Sequence, residues 1–244
     1  MTAALEVRTL VAGYDRTPVL HGLDLDVEQG SSAVVIGPNG HGKTTLLRAI
    51  SGLIKPFSGE ITLAGERVDG RPAEAVAGRG VVHIMQGDGL FPDMTVEENV
   101  LMGAFLGGSW RKRRAALRQV YADLEIVGEK RDQKARTLSG GERRLVGLAR
   151  GMMRPARLLL IDEPSLGLAP VAIEAVYAAI ARLRTESNAT LILIEENFTH
   201  VEEIADVVHI LEAGTIVRSG SYQELSQDRT VVETYLGSIA GMGT

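Results

Sequence analysis

Apolar and polar residues alternate along residues 5–10 and again through Leu23-Asp24-Leu25-Asp26-Val27, which predicts strands with one buried face. Ser32-Ala33-Val34-Val35-Ile36 is a continuous apolar run instead, as in a strand covered on both faces. Residues 43–51 have helical spacing, and Gly52 supplies a stop residue. Residues 81–85, 158–161 and 191–194 predict three more buried strands. Residues 207–211 and 215–217, on either side of Glu212-Ala213-Gly214, predict a closing hairpin. From about residue 88 to residue 154 the patterns are helical, with no convincing strand. The fold class expected is therefore α/β: a mixed-sheet core from residues 1–87 and 155–244, with a helical subdomain of residues 88–154 inserted. No internal repeat is present, which excludes two tandem copies of one domain.

Composition narrows the chemistry. A length of 244 residues suits one large domain with a subdomain, and 45% hydrophobic against 23% charged residues is ordinary for an ordered globule. Twenty-six Lys+Arg against 31 Asp+Glu leave a net charge of −5, so a nucleic-acid surface is not expected. No apolar run approaches the ~18–20 residues of a membrane span. Residues 1–8 show no basic-then-apolar export signal, which favours a cytoplasmic location. The absence of cysteine removes disulfides, thiolate catalysis and the usual structural zinc sites. The five histidines are scattered, so a His-held metal is not expected either.

Gly37-Pro38-Asn39-Gly40-His41-Gly42-Lys43-Thr44-Thr45 follows the first buried strand and opens a helix. Its glycines let successive backbone N–H groups turn onto phosphate oxygens, and the helix start adds its positive dipole end. In this pattern Lys43 reaches the β/γ-phosphates and the Thr44 hydroxyl ligates Mg²⁺. A second apolar strand ends in Asp162-Glu163-Pro164. Two acids at the carboxyl edge of a sheet suit a Mg²⁺ shell (Asp162) and a base for an attacking water (Glu163).

Leu138-Ser139-Gly140-Gly141-Glu142 reads first as a capping box, Ser139 with Glu142, opening a helix to about Met153. A capped helix start with two glycines is also an anion site. Lying between the phosphate loop and the Asp-Glu strand, this segment resembles the signature motif of ATP-binding-cassette (ABC) ATPases, a resemblance that extends over nearly the whole chain. It implies a P-loop NTPase fold of ABC type with an N-terminal antiparallel β subdomain. Tyr14 then matches the aromatic that stacks on adenine. Gln86 matches the glutamine that meets Mg²⁺ and the attacking water, and Ser165-Leu166-Gly167-Leu168-Ala169 the loop that crosses the dimer interface. In this family Ser139, Gly140, Gly141 and Glu142 serve the ATP of a partner cassette. Leu90-Phe91-Pro92-Asp93-Met94-Thr95-Val96-Glu97-Glu98-Asn99, Ser165 to Pro170, and Tyr235-Leu236-Gly237 resemble the shorter ATP-binding subunit of branched-chain amino acid importers. The function implied is ATP hydrolysis, with Mg²⁺, driving such an importer from the inner face of the cell membrane. The partners implied are a second homologous ATP-binding subunit or a second copy of this chain, two membrane permease subunits and, indirectly, an external solute-binding protein. A soluble ABC ATPase without transport, or an importer ATPase for urea or amides, is the alternative.

Some residues depart from the family pattern. Glu196 occupies the switch position, where histidine or glutamine would face the γ-phosphate. A carboxylate there is protonated, turned away, or slows hydrolysis. His41 stands where a small residue is usual, and either faces solvent or adds a phosphate contact. His200 lies one helical turn past the switch. Arg111-Lys112-Arg113-Arg114 after Trp110, with Arg118, is either a solvated helix face or a contact with headgroups or a membrane subunit. Glu195, Glu202 and Glu203 read as a solvated acidic run.

Overall fold

The computed structural model describes residues 3–87, 89–105, 110–186, 189–196 and 198–231. In chain order these form β1 (Ala3–Tyr14), β2 (Thr17–Glu28), β3 (Ser32–Ile36), α1 (Lys43–Ile50), β4 (Ser58–Leu63), β5 (Glu66–Arg67), α2 (Ala73–Gly78) and β6 (Val81–Ile84). There follow α3 (Val96–Leu101), α4 (Trp110–Asp123), α5 (Glu125–Glu129), α6 (Gly140–Met152), β7 (Leu158–Asp162) and α7 (Pro170–Glu186). The chain then forms β8 (Thr190–Glu195), β9 (Val207–Glu212), β10 (Thr215–Gly220), α8 (Tyr222–Gln227) and α9 (Arg229–Val231).

Two sheets result. The first is antiparallel, ordered β2-β1-β4-β5; the second is ordered β10-β9-β3-β8-β7-β6 and is parallel except for β10. In β1 the buried positions change parity from Leu5 and Val7 to Leu10 and Ala12. A bulge at Arg8-Thr9, with Thr9 at φ +44°, absorbs the extra residue and keeps the apolar side inward. Strand β3 divides its side chains between two apolar layers. Ala33 and Val35 join Leu5, Leu20, Leu47 and Ile192 beneath the antiparallel sheet, whereas Val34 and Ile36 join Leu148, Ile161, Ile180 and Leu193 beneath the helices. This double coverage is why residues 32–36 carry no polar alternation.

Every helix or strand described between residues 89 and 153 is helical, apart from an isolated bridge between Thr95 and Lys134. Asn99, fully buried, organises the start of this stretch: its Oδ1 accepts from Phe91 N–H (2.8 Å), and its Nδ2 donates to Phe91 O (3.0 Å) and Thr95 O (2.9 Å). Among the described residues no helix is long and apolar enough to cross a membrane. Tyr235-Leu236-Gly237 and Asn197 lie outside the described residues.

Candidate functional site

The carboxyl ends of β3, β6, β7 and β8 open on one edge of the mixed sheet, where ligands bind in open α/β folds. From β3 the chain enters the glycine loop and turns into α1. A Cβ on Gly37 would lie 2.1 Å from Leu211 O, so only glycine lets the loop pass the end of β9. Gly42, at φ +110°, is the N-cap of α1, in a conformation that side chains strain to adopt.

Lys43 is 3% exposed and folds back over its own loop. Its Nζ donates to Gly37 O (2.7 Å), Pro38 O (3.3 Å) and Asn39 Oδ1 (3.4 Å), and pairs with Glu163 Oε1 at 3.2 Å. The other Glu163 oxygen accepts from Gln86 Nε2 at 2.7 Å. One cation and one amide thus hold the two oxygens of a buried carboxylate. Glu163 itself sits at φ +44°, a strained conformation costing about 1–3 kcal/mol. Its N–H donates to Ile194 O at 3.1 Å, tying the end of β7 to β8.

Thr44 Oγ1 donates to Asp162 Oδ1 at 3.1 Å. Burial pushes the Asp162 carboxyl up to about 6, the Thr44 hydrogen bond opposes that, and the Glu163 charge adds to it. The hydroxyl, carboxylate and amide oxygens of Thr44, Asp162 and Gln86 are hard donors of the kind Mg²⁺ takes. No group of three or more His, Cys, Asp or Glu that could hold a metal occurs among the described residues. Thr44, Asp162 and Gln86 are the side chains at this edge that would hold a Mg²⁺ ion.

Other sequence-predicted residues lie nearby or elsewhere. Tyr14, at the end of β1, is partly exposed; its hydroxyl accepts from Arg48 Nη1 (3.0 Å), and the guanidinium lies 6.0 Å from the ring centre. Thr45 is buried in α1. His41 is half-buried: its Nδ1 accepts from Ala213 N–H (3.2 Å), and its carbonyl accepts from Gly214 N–H (3.1 Å). The ring thus clasps the phosphate loop to the β9–β10 turn. His200 lies in a non-helical turn at φ +66° and packs its ring 5.4 Å from Tyr177.

Ser139 caps α6 in a reciprocal box. Its Oγ accepts from Glu142 N–H (3.3 Å), and Glu142 Oε2 accepts from Ser139 N–H (2.8 Å). Lys130 pairs with Glu142 at 2.8 Å. Ser139 and Gly140 are exposed, while Gly141 lets α6 close on α7: a Cβ there would lie 2.5 Å from Ala172 Cβ. Helix α6 packs on α3, α4, α5, α7 and strand β6, whereas α1 packs on β1, β2 and β7. The two helices bury their apolar faces in different layers, Leu145 and Leu148 of α6 with the helices and Leu46 and Leu47 of α1 beneath the antiparallel sheet. On α4, Arg111, Lys112, Arg114 and Arg118 are exposed and Arg113 is half-buried.

The acidic run after β8 needs correcting. Glu195 is 5% exposed rather than solvated, because it still belongs to the buried strand and points at Tyr177 and Ser165; Glu196 is the exposed one. Burial pushes the Glu195 carboxyl up, against the hydrogen bonds from Tyr177 and Ser165. Sequence reasoning also passed over Arg144, a buried arginine on the apolar face of α6 that donates to Gly87 O and to Leu166 O (3.4 Å). It joins the loop after β6 to the loop after β7. Its signal was one cation immediately before Leu145 and Val146.

A family model described as ABC transporter matches residues 20–166. Two high-affinity branched-chain amino acid transport ATP-binding proteins of Pseudomonas aeruginosa, BraG and BraF, are each 34% identical to this chain. The BraG match covers 92% of this chain and 95% of that protein; the BraF match covers 96% and 97%. The ADP conformation of an ATP-binding cassette of an ABC transporter has a TM-score of 0.86 at 24% identity, over 97% of this chain and 100% of that one. This last likeness is one of fold. The motif resemblance is thereby borne out: the chain belongs to the ABC transporter family, as an ATP-binding-cassette ATPase homologous to the ATP-binding subunits of branched-chain amino acid transport systems.

Proposed function

We propose that this chain binds Mg²⁺·ATP at the β3–α1 loop, hydrolyses it, and so energises a membrane importer for branched-chain amino acids. The observation that carries the reading is the convergence of Lys43, Thr44, Gln86, Asp162 and Glu163 on one sheet edge, linked by contacts of 2.7 to 3.2 Å. The loop amides of Gly37, Pro38, Asn39, Gly40, His41 and Gly42 and the start of α1 receive phosphate oxygens. Lys43 neutralises developing phosphate charge, with Thr45 behind it in α1. Tyr14 stacks on the base. Thr44, Asp162 and Gln86 would hold Mg²⁺, partly through water, and the ion would supply positive charge against the phosphates. Glu163 orients and deprotonates the attacking water, with Gln86 beside it. The chemistry asks for positioning and charge neutralisation rather than a covalent intermediate.

Ser139, Gly140, Gly141 and Glu142 face away from this nucleotide and complete the site of a partner cassette, either a homologous subunit or a second copy. Closing and reopening of that dimer moves two permease subunits through the loop after Gln86, with residues 88–154 behaving as a subdomain. The chain sits on the cytoplasmic face of the membrane, and an external solute-binding protein delivers the substrate. Glu196 faces the γ-phosphate and slows the step. The test is affinity purification of the tagged chain from its native membrane. Recovery of two polytopic subunits and a second cassette supports the reading, whereas a purely soluble partner set sinks it.

A further inference from the structure

The mechanism above leaves one buried carboxylate at the same sheet edge without a task. Four donors converge on Glu195. Its Oε1 accepts from the Tyr177 hydroxyl (2.6 Å) and Ser165 N–H (3.2 Å); its Oε2 accepts from the Ser165 hydroxyl (3.0 Å) and Glu196 N–H (3.3 Å). These donors come from three segments: α7, the loop after β7 and the loop after β8. Burial and the neighbouring carboxylate keep the Tyr177 phenol neutral, so it remains a donor.

Two of those segments carry the proposed chemistry. Ser165 is two residues past Glu163, across Pro164, and Glu163 N–H is already bonded to Ile194 O, the residue before Glu195. The Glu163–Ser165 corner is thus stitched to β8 at both ends. A non-glycine residue persists at positive φ only where its surroundings over-determine it, and Glu163 is such a residue. The same carboxylate also fixes the first N–H of the segment bearing Glu196.

We infer that Glu195 is a positioning residue for hydrolysis, its carboxylate locking the Glu163–Ser165 corner and the Glu196 segment into one register. The inference rests on Glu163 being the hydrolytic base. An ionised carboxylate offers acceptors only and matches four donors, whereas an amide of the same shape turns N–H groups toward some of them. Glu195→Gln therefore perturbs the lock with little change in volume.

In the complex purified through a tag on this chain, Glu195→Gln should lower kcat about 10- to 100-fold, the scale set by small misplacements of reacting groups. The Kd for nucleotide should stay within about twofold, because Glu195 donates nothing to the phosphate loop. Tyr177→Phe removes one of the four donors and should lower kcat less, and the double variant should be less than additive. Glu163→Gln run in parallel should be inactive; normal turnover there would overturn the base assignment and this inference with it. Normal turnover of Glu195→Gln beside an inactive Glu163→Gln overturns the inference alone. So does a joint loss of nucleotide affinity and turnover in Glu195→Gln, which marks a general structural defect.

Discussion

Asp162→Asn should make the nucleotide-free chain more stable while removing its Mg²⁺-dependent chemistry. The carboxyl moves from an ordinary value of 3.8 to about 6 in the folded protein, chiefly through burial. The folded state therefore binds this proton more tightly than the unfolded state does. The associated stability is fully present below about pH 4 and is lost as the pH rises through about 6. At full ionisation the shift corresponds to about 3 kcal/mol, and hydration of the sheet edge lowers the working figure to about 1–3 kcal/mol. Asparagine imitates the protonated acid at every pH and still accepts the Thr44 hydrogen bond. With about 2–4 °C per kcal/mol for a chain of this size, the variant should melt about 2–12 °C above the wild type near neutral pH.

The assay is a pair of thermal melts without nucleotide at about pH 4.5 and about pH 8, where the stability difference should grow about threefold. Nucleotide titrations with Mg²⁺ complete it: the variant should lose the Mg²⁺-dependent part of its affinity. A variant less stable at the higher pH, or a difference independent of pH, would refute the reasoning. Either outcome would mean that desolvation of Asp162 is not what separates its two protonation states. Gain of stability with loss of function is expected where a site keeps a charge for its ligand's sake.

Three further outcomes follow from contacts at the same edge. Lys43→Ala strips Glu163 of its cation and the loop of its strap, and should weaken nucleotide binding by at least about tenfold; unchanged affinity and turnover would remove the phosphate-loop assignment. Glu196→Gln replaces an exposed carboxylate by a neutral acceptor at the switch position and should raise the ATPase rate of the assembled complex, an idea that an unchanged rate would end. Gly37→Ala drives a Cβ to 2.1 Å from Leu211 O, and should cost about 1–3 kcal/mol in denaturant melts and weaken nucleotide binding. A wild-type melt would show that the loop can move off β9.

Much of this fold was legible because its signals are long or unusual. Residues 33–36 and 158–161 are continuous apolar runs, and such runs leave few choices besides doubly covered strands. The glycine loop and the Asp-Glu pair were legible because their residue types and spacing make a recognisable pattern. The elements that escaped are short. In β4 only Ile61 and Leu63 are buried, β5 has two residues, and α2 buries Val76 alone. Too few positions repeat there to establish a period. Glu195 escaped for another reason. Next to Glu196 in sequence it looks like the start of a solvated run, but a strand sends successive side chains to opposite faces. Which of two adjacent carboxylates turns inward depends on Tyr177 and Ser165, residues 18 and 30 positions away. No local pattern carries that information.

The four carboxylates at the ends of β7 and β8 are neutralised in four different ways, and the differences suggest an order of events on the proposed mechanism. Glu195 is satisfied by neutral donors and need not change. Asp162 is pushed up to about 6 by burial, so a cation binding there would displace a proton below about pH 6. Glu196 is exposed and screened by water. Glu163 alone depends on Lys43, at 3.2 Å. A polyphosphate entering the loop competes for that same ammonium, and it wins through the added donors of the loop amides and the α1 dipole. As Lys43 turns to phosphate, Glu163 keeps only its Gln86 hydrogen bond. On the proposed mechanism the ion pair that holds Glu163 before nucleotide arrives is thus broken by the nucleotide itself, which ties release of this carboxylate to occupancy of the site.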